Sequence, residues 1–206
     1  PQVDTFATAL RYIIVLQGIF LAPIIVWGEP IMVTLLGESY RDSGDVLRAL
    51  APFVLLSGPA LLASLGVNYL GAARRRIPLA IAVLAANAII DIILIPDIGI
   101  VAGAIGTDVA YAIWVPAHLL ILRQMIGLPL RPQWLAFARA ILAAGVACLP
   151  LVALGSDPGV GVLVLGGAIA CLVYVAALRL TGELRRADVD RMREVLSRRF
   201  PWAAPR

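Results

Sequence analysis

The sequence predicts an all-α integral membrane protein: six transmembrane helices followed by a C-terminal amphipathic surface helix. Three observations carry this expectation. Hydrophobic residues make up 61% of the chain and its mean hydropathy is +0.94, whereas soluble domains hold roughly 45–50% apolar residues. The excess is gathered into blocks near the ~20 residues a helix needs to cross a bilayer. The arginines cluster between alternate blocks rather than spreading along the chain.

The first block covers residues 6–27 and is interrupted at Pro23. The second, 46–70, carries Pro52 and Pro59; the third is 77–95; the fourth, 100–122, carries Pro116. The fifth, 134–154, carries Pro150, and the sixth is 160–180. Interior prolines remove a backbone hydrogen bond and kink a helix, which membranes tolerate where neighbours satisfy the freed carbonyls. Between the first two blocks, Ile31, Met32, Leu35 and Leu36 predict a short amphipathic helix at the outer surface. After the sixth, Val189, Met192, Val195, Leu196 and Phe200 recur every three or four residues between charged groups. That spacing predicts an amphipathic helix on the inner leaflet, with Trp202 at headgroup depth.

Arginine placement orients the blocks. Arg74, Arg75 and Arg76 fill the connection from second to third, and Arg123 and Arg131 lie between fourth and fifth. Seven arginines from Arg179 to Arg199 follow the sixth. The alternate connections are poor in arginine: Arg41 stands among four acids, and the other two connections hold none. Positive residues stay cytoplasmic, so both ends of the chain are expected on the cytoplasmic side of the inner membrane. The triple arginine reads first as a topology anchor and, more sharply, as a contact for lipid phosphate.

Several classes are excluded. The net charge of +4 comes with no aromatic-interleaved basic stripe, so nucleic acid is not an expected partner. All basic residues are arginine, for which there is no functional account. Cys148 and Cys171 both lie inside apolar blocks and read as small packing residues, not a disulfide. His118 is the only histidine, and no metal-ligand spacing exists. Gln17, Asn68 and His118 read as satisfied packing residues. No phosphate loop, nucleophile elbow or catalytic triad is present, so neither a catalytic residue nor a cofactor is expected and the chain does not read as an enzyme. It starts at Pro1 without a signal-peptide layout and reads as a piece of a longer protein.

The polar residues inside the blocks are the informative ones. Asn87 and Asp91 lie one turn apart in the third block, within the run Asn87-Ala88-Ile89-Ile90-Asp91-Ile92-Ile93-Leu94-Ile95-Pro96. At 1.5 Å rise per residue, Asn87 lies roughly 13 Å below Pro96, and Asp108 roughly 11 Å below Val101. A short connection makes the two helices antiparallel neighbours, so Asn87, Asp91, Thr107, Asp108 and Tyr111 are expected to form one cluster. Three tasks fit it: an interhelical hydrogen-bond set, a polar cavity for a substrate headgroup, or a proton or cation site. The spacing Gly99-x-x-x-Gly103 permits close helix approach.

These residues carry a resemblance. Leu35-Leu36-Gly37-Glu38-Ser39-Tyr40, Val46-Leu47-Arg48-Ala49-Leu50-Ala51, the Asn-to-Pro run, and Gly99 with Gly103-Ala104-Ile105-Gly106-Thr107 through Tyr111 resemble the C-terminal half of polysaccharide and lipid-linked oligosaccharide flippases. These flippases belong to the multidrug/oligosaccharidyl-lipid/polysaccharide exporter superfamily. Asp91 matches a position often Asn or Asp in the family, while Asp108 directly after Thr107 is less typical. The resemblance implies half of a two-lobe transporter whose N-terminal lobe is missing here. It divides the chain into residues 1–154 as the C-terminal lobe, 155–182 as a final additional span and 183–206 as a cytoplasmic tail. It implies export of a lipid-linked glycan by alternating access, with Arg11 and Arg48 near span ends as headgroup contacts and membrane lipids around the chain. Two other functions fit the same fold: a cation-coupled multidrug exporter using Asp91 and Asp108, and a non-transporting scaffold for glycan assembly docked through the tail.

Overall fold

A computed structural model describes residues 2–184, and within them the chain is helical with no strand. Eight helices follow in order: α1 (Gln2–Gly18), α2 (Leu21–Leu36), α3 (Ser43–Ala49), α4 (Ala51–Tyr69), α5 (Arg76–Ile98), α6 (Val101–Ile126), α7 (Leu130–Ala153) and α8 (Val160–Leu180). Short 3₁₀ turns at Glu38–Tyr40 and Ala73–Arg75 complete the connections. Six helical segments are long and apolar enough to cross a membrane, with α1 and α2 together forming the first. The chain is a multi-pass membrane protein. The expected surface helix of the tail lies outside the described residues, apart from Glu183 and Leu184.

Two prolines break the first span, each towards its N-terminal side, whereas Pro59, Pro96, Pro116 and Pro150 lie inside α4, α5, α6 and α7 without interrupting them. Pro23 has no N–H to give the Ile19 carbonyl, and the first span breaks at Ile19 and Phe20, one turn earlier than the proline itself. Pro30 repeats the effect: the backbone leaves helical geometry at Trp27 (φ −117°, ψ 28°). Ile31, Met32, Leu35 and Leu36 are helical as expected, but they continue α2 instead of forming a separate surface helix. The second block is likewise divided. It becomes α3 and α4, parted at Leu50, with Pro52 in the first turn of α4.

Helices α1, α4, α6 and α7 surround the core, where Leu10, Ile14, Val67, Val115, Leu119 and Leu122 are buried. Ala136, Ala140, Ala143 and Ala147 recur at helical spacing on the buried face of α7. Small side chains let helix backbones approach closely where lipid offers no hydrophobic driving force. Helix α8 is seated by two aromatics: the Tyr174 hydroxyl donates to Val15 O (2.8 Å), and Trp27 Nε1 donates to Gly155 O (2.9 Å). A methyl group on Gly166 would meet Trp27 Cζ3 at 2.8 Å, so only glycine lets that indole pack this closely on α8.

Helix α5 is the exception. It packs along α6 and has no buried residue. Ile81, Leu84, Ile89 and Ile92 are all more than half exposed. Lipid or another apolar surface must cover that face.

Candidate functional site

Three helices bring polar stripes together. On α4, Ser57, Ser64 and Asn68 follow at i, i+7 and i+11; on α5, Arg76, Asn87 and Asp91 follow at i, i+11 and i+15. On α6, Asp108, Tyr111, Trp114 and His118 recur every three or four residues. Such intervals return to one side of a helix. Between the stripes lies a cleft of about 330 Å³, lined by Ser57, Ser64, Arg76, Tyr111 and Trp114 with three aliphatic residues.

The predicted five-residue cluster is divided by the structure. Asn87 and Asp91 face Gly106: a methyl group there would meet Asp91 Oδ1 at 2.6 Å and Asn87 Nδ2 at 3.0 Å. Asp108, two residues on, lies about 200° further round α6 and turns to α4, where its Oδ1 accepts from the Phe53 amide at 2.8 Å. Tyr111 follows Asp108, its ring edge-on to Phe53 with centroids 4.7 Å apart. Thr107 Oγ1 donates to Gly103 O (2.8 Å) of its own helix. Asn87 and Asp91 of the third block therefore lie against the fourth at Gly106. The expectation that Asp108 joins them is corrected, because helical rotation carries it to the opposite neighbour.

Asp108 supplies what α4 lacks. Leu50 precedes that helix and offers no side-chain cap, leaving first-turn N–H groups without intrahelical partners. A carboxylate borrowed from α6 accepts one of them. Nearby, Gln17 Nε2 donates to Ser57 Oγ (3.0 Å) and Gln17 Oε1 accepts from Gly58 N (2.9 Å). Gln17 adjoins the first interruption and Phe53 the second. Discontinuous helices facing one another inside the bilayer are a feature of transporter sites.

At the other end of the cleft stands Arg76. Its Nε donates to His118 Nε2 (3.0 Å), its Nη1 to Asn68 Oδ1 (2.6 Å), and its guanidinium carbon lies 5.2 Å from the centre of the Trp114 ring. Because guanidinium can only donate, His118 Nε2 must be the acceptor. The ring hydrogen then sits on Nδ1, which donates to Trp114 O (2.9 Å). Trp114 Nε1 in turn donates to Ser64 Oγ (3.1 Å). His118 is buried and satisfied, as expected of a packing residue, whereas Asn68 is exposed; both accept from the cation. The sequence reading treated Arg74, Arg75 and Arg76 alike, whereas Arg74 and Arg75 are exposed and Arg76 is half-buried. The signal that separates them is the interval from Arg76 to Asn87 and Asp91, which sets all three on one stripe.

The two predicted headgroup arginines are engaged elsewhere. Arg11 Nε pairs with Glu183 Oε1 (2.5 Å), and its Nη2 donates to Glu183 O. Arg139 Nη1 pairs with the other carboxylate oxygen at 2.7 Å. Glu183 is 2% exposed, and it ties the end of α8 to α1 and α7. Sequence reasoning missed it; its signal is a lone acid at the start of an arginine-rich tail. Arg48 pairs with Asp45 at 2.8 Å and covers Gly28 of α2. Neither arginine lines the cleft. Outside the spans, Arg41 holds Glu38 and Glu29, and these two carboxylates keep its guanidinium above its ordinary range.

Comparison of the chain with family models, with curated proteins and with solved structures gives no match.

Proposed function

We propose that this chain forms one lobe of a transporter that carries a lipid-linked oligosaccharide or polysaccharide precursor across the cytoplasmic membrane by alternating access. The observation that carries the reading is the cleft between α4, α5 and α6, which presents hydroxyls, an indole and a guanidinium inside a membrane bundle. Polar groups at that position are costly unless they serve a pathway or a partner. The glycan headgroup crosses through the polar cleft while its isoprenoid tail stays in lipid. Helix α5, packed on α6 and exposed elsewhere, is the wall with fewest contacts to break as the cleft opens and closes. An N-terminal lobe of the same transporter completes the pathway, and both ends of this chain face the cytoplasm. Depleting the protein in its host cell tests the proposal. A lipid-linked saccharide should accumulate on the cytoplasmic leaflet; undiminished glycan export would overturn it.

One observation favours a second reading, the cation-coupled exporter. Asp91 Oδ1 is buried against Gly106 and has no hydrogen-bond partner among the described residues. A proton or cation would supply one. In that case transport collapses when the ion gradient is dissipated and also on Asp91→Asn. Export indifferent to both removes the second reading and leaves the first.

A further inference from the structure

The guanidinium of Arg76 differs from those of Arg11, Arg41, Arg48 and Arg139, each of which holds a carboxylate. Its described partners, His118 and Asn68, are both neutral acceptors. The hydrogen bonds of His118 fix its tautomer and leave the positive charge on Arg76. Among the described residues no carboxylate lines the cleft. Arg76 is the first residue of α5 and stands half-buried at the end of the cleft, and two side chains from two helices are spent on holding it there.

We infer that Arg76 is the anchor of an anion subsite in this cleft, and that the anion is the phosphate of a lipid-linked headgroup. Guanidinium carries five N–H donors; His118 and Asn68 each take one, which leaves three for phosphate oxygens. A planar fork suits phosphate in two-point contact. The Ser57 hydroxyl already donates to Val54 O, but those of Ser64 and Tyr111 on the same walls can donate to the remaining oxygens. The Trp114 ring beneath the guanidinium holds it through cation–π attraction, so the fork is set in place before a ligand arrives. The subsite lies in the cleft of the transport reading and names the part of the substrate that binds there. It is judged by binding, so it can fail or stand apart from translocation.

The test uses the full chain in lipid nanodiscs, with farnesyl phosphate as the probe and native mass spectrometry or calorimetry as the readout. Farnesyl phosphate should bind at least about tenfold more tightly than farnesol, which has the same tail and no phosphate, because a charge-assisted hydrogen bond supplies that much. Arg76→Gln should lose about tenfold, and Arg76→Lys should retain part by keeping the charge without the fork. Arg75→Gln, an exposed neighbour, should bind as wild type does. Competition by inorganic phosphate assigns the subsite to phosphate in general, and its failure to compete assigns it to lipid phosphate. Equal affinity for farnesol, or an Arg76→Gln protein that binds undiminished, would overturn the subsite. If Arg76→Gln does not fold, the farnesol comparison and Arg76→Lys still decide. Binding without flipping in reconstituted vesicles keeps the subsite and counts against the transport reading alone.

Discussion

The Asp108 carboxylate caps a helix to which it does not belong: from about two turns into α6 it accepts the amide hydrogen of Phe53, in the first turn of α4, at 2.8 Å. Together with Pro52, this bond explains how a helix can begin inside an apolar bundle.

Removal of that cap should destabilise the bundle. Asp108→Ala is expected to cost about 1–2 kcal/mol, the range of an N-cap deletion or an interhelical bond in lipid. Asp108→Asn keeps an acceptor oxygen and should recover most of the loss. The thermal unfolding midpoint in detergent, compared among the three proteins, measures both. An alanine variant as stable as wild type would show that water or another donor–acceptor pair replaces the cap.

Gly106 and Asp91 should show coupling of opposite signs. Alanine has the better helix propensity by about 1 kcal/mol, yet its methyl group would meet Asp91 Oδ1 at 2.6 Å. Gly106→Ala is therefore expected to destabilise the wild-type chain and to stabilise the Asp91→Ala chain. A double-mutant cycle on unfolding midpoints reads the difference. Additive effects would mean that α5 and α6 adjust without strain.

The buried Glu183 should matter more than its place beside the tail implies. Truncation of one partner in a fully buried ion pair costs 3–5 kcal/mol. Here Arg11 and Arg139 are 20% and 32% exposed and can turn towards headgroups, so Glu183→Ala is expected to cost about 2 kcal/mol. The single variants and the double variant with Arg139→Ala, followed by thermal unfolding, should show strong non-additivity.

Arg41 provides the contrast. Its pairs with Glu38 and Glu29 are exposed to solvent, where ion pairs are screened and contribute little. Arg41→Gln should leave the unfolding midpoint unchanged in both low and high salt. A salt-sensitive drop in low salt alone would assign the connection a larger role.

Orientation can be read by labelling. In a chain with Cys148 and Cys171 replaced by alanine, Ala73→Cys should react with an impermeant maleimide only in inverted vesicles, and Ser39→Cys only in intact cells. The reverse pattern would invert the proposed topology and put the Arg76 end of the cleft on the outer side.

Much of this architecture was legible in the chain. The sixth block coincides with α8, and the third and fourth are α5 and α6 extended by a few residues. Insertion into lipid depends on summed hydropathy along a segment, and that sum is local. The breaks at Pro23 and Pro30 lie before the prolines, because the carbonyl a proline orphans lies one turn before it, while Pro59, Pro116 and Pro150 interrupt no helix. The polar cluster was half legible. Asn87 and Asp91 share a face by spacing alone, as Asp108 does with Tyr111, Trp114 and His118, but spacing within a helix does not say which neighbour each face meets.

By itself, then, the sequence determined which stretches are helical and membrane-spanning, and which polar residues share one face of a helix. The tertiary structure alone decided the partners. It assigned Asp108 to the start of α4, Arg11 to Glu183, and Arg76, out of three consecutive arginines, to the cleft. Depth follows from counting residues at a fixed rise, whereas a side chain's direction around its helix gains meaning only once neighbouring helices have packed, and that packing is a sum over contacts distant in sequence.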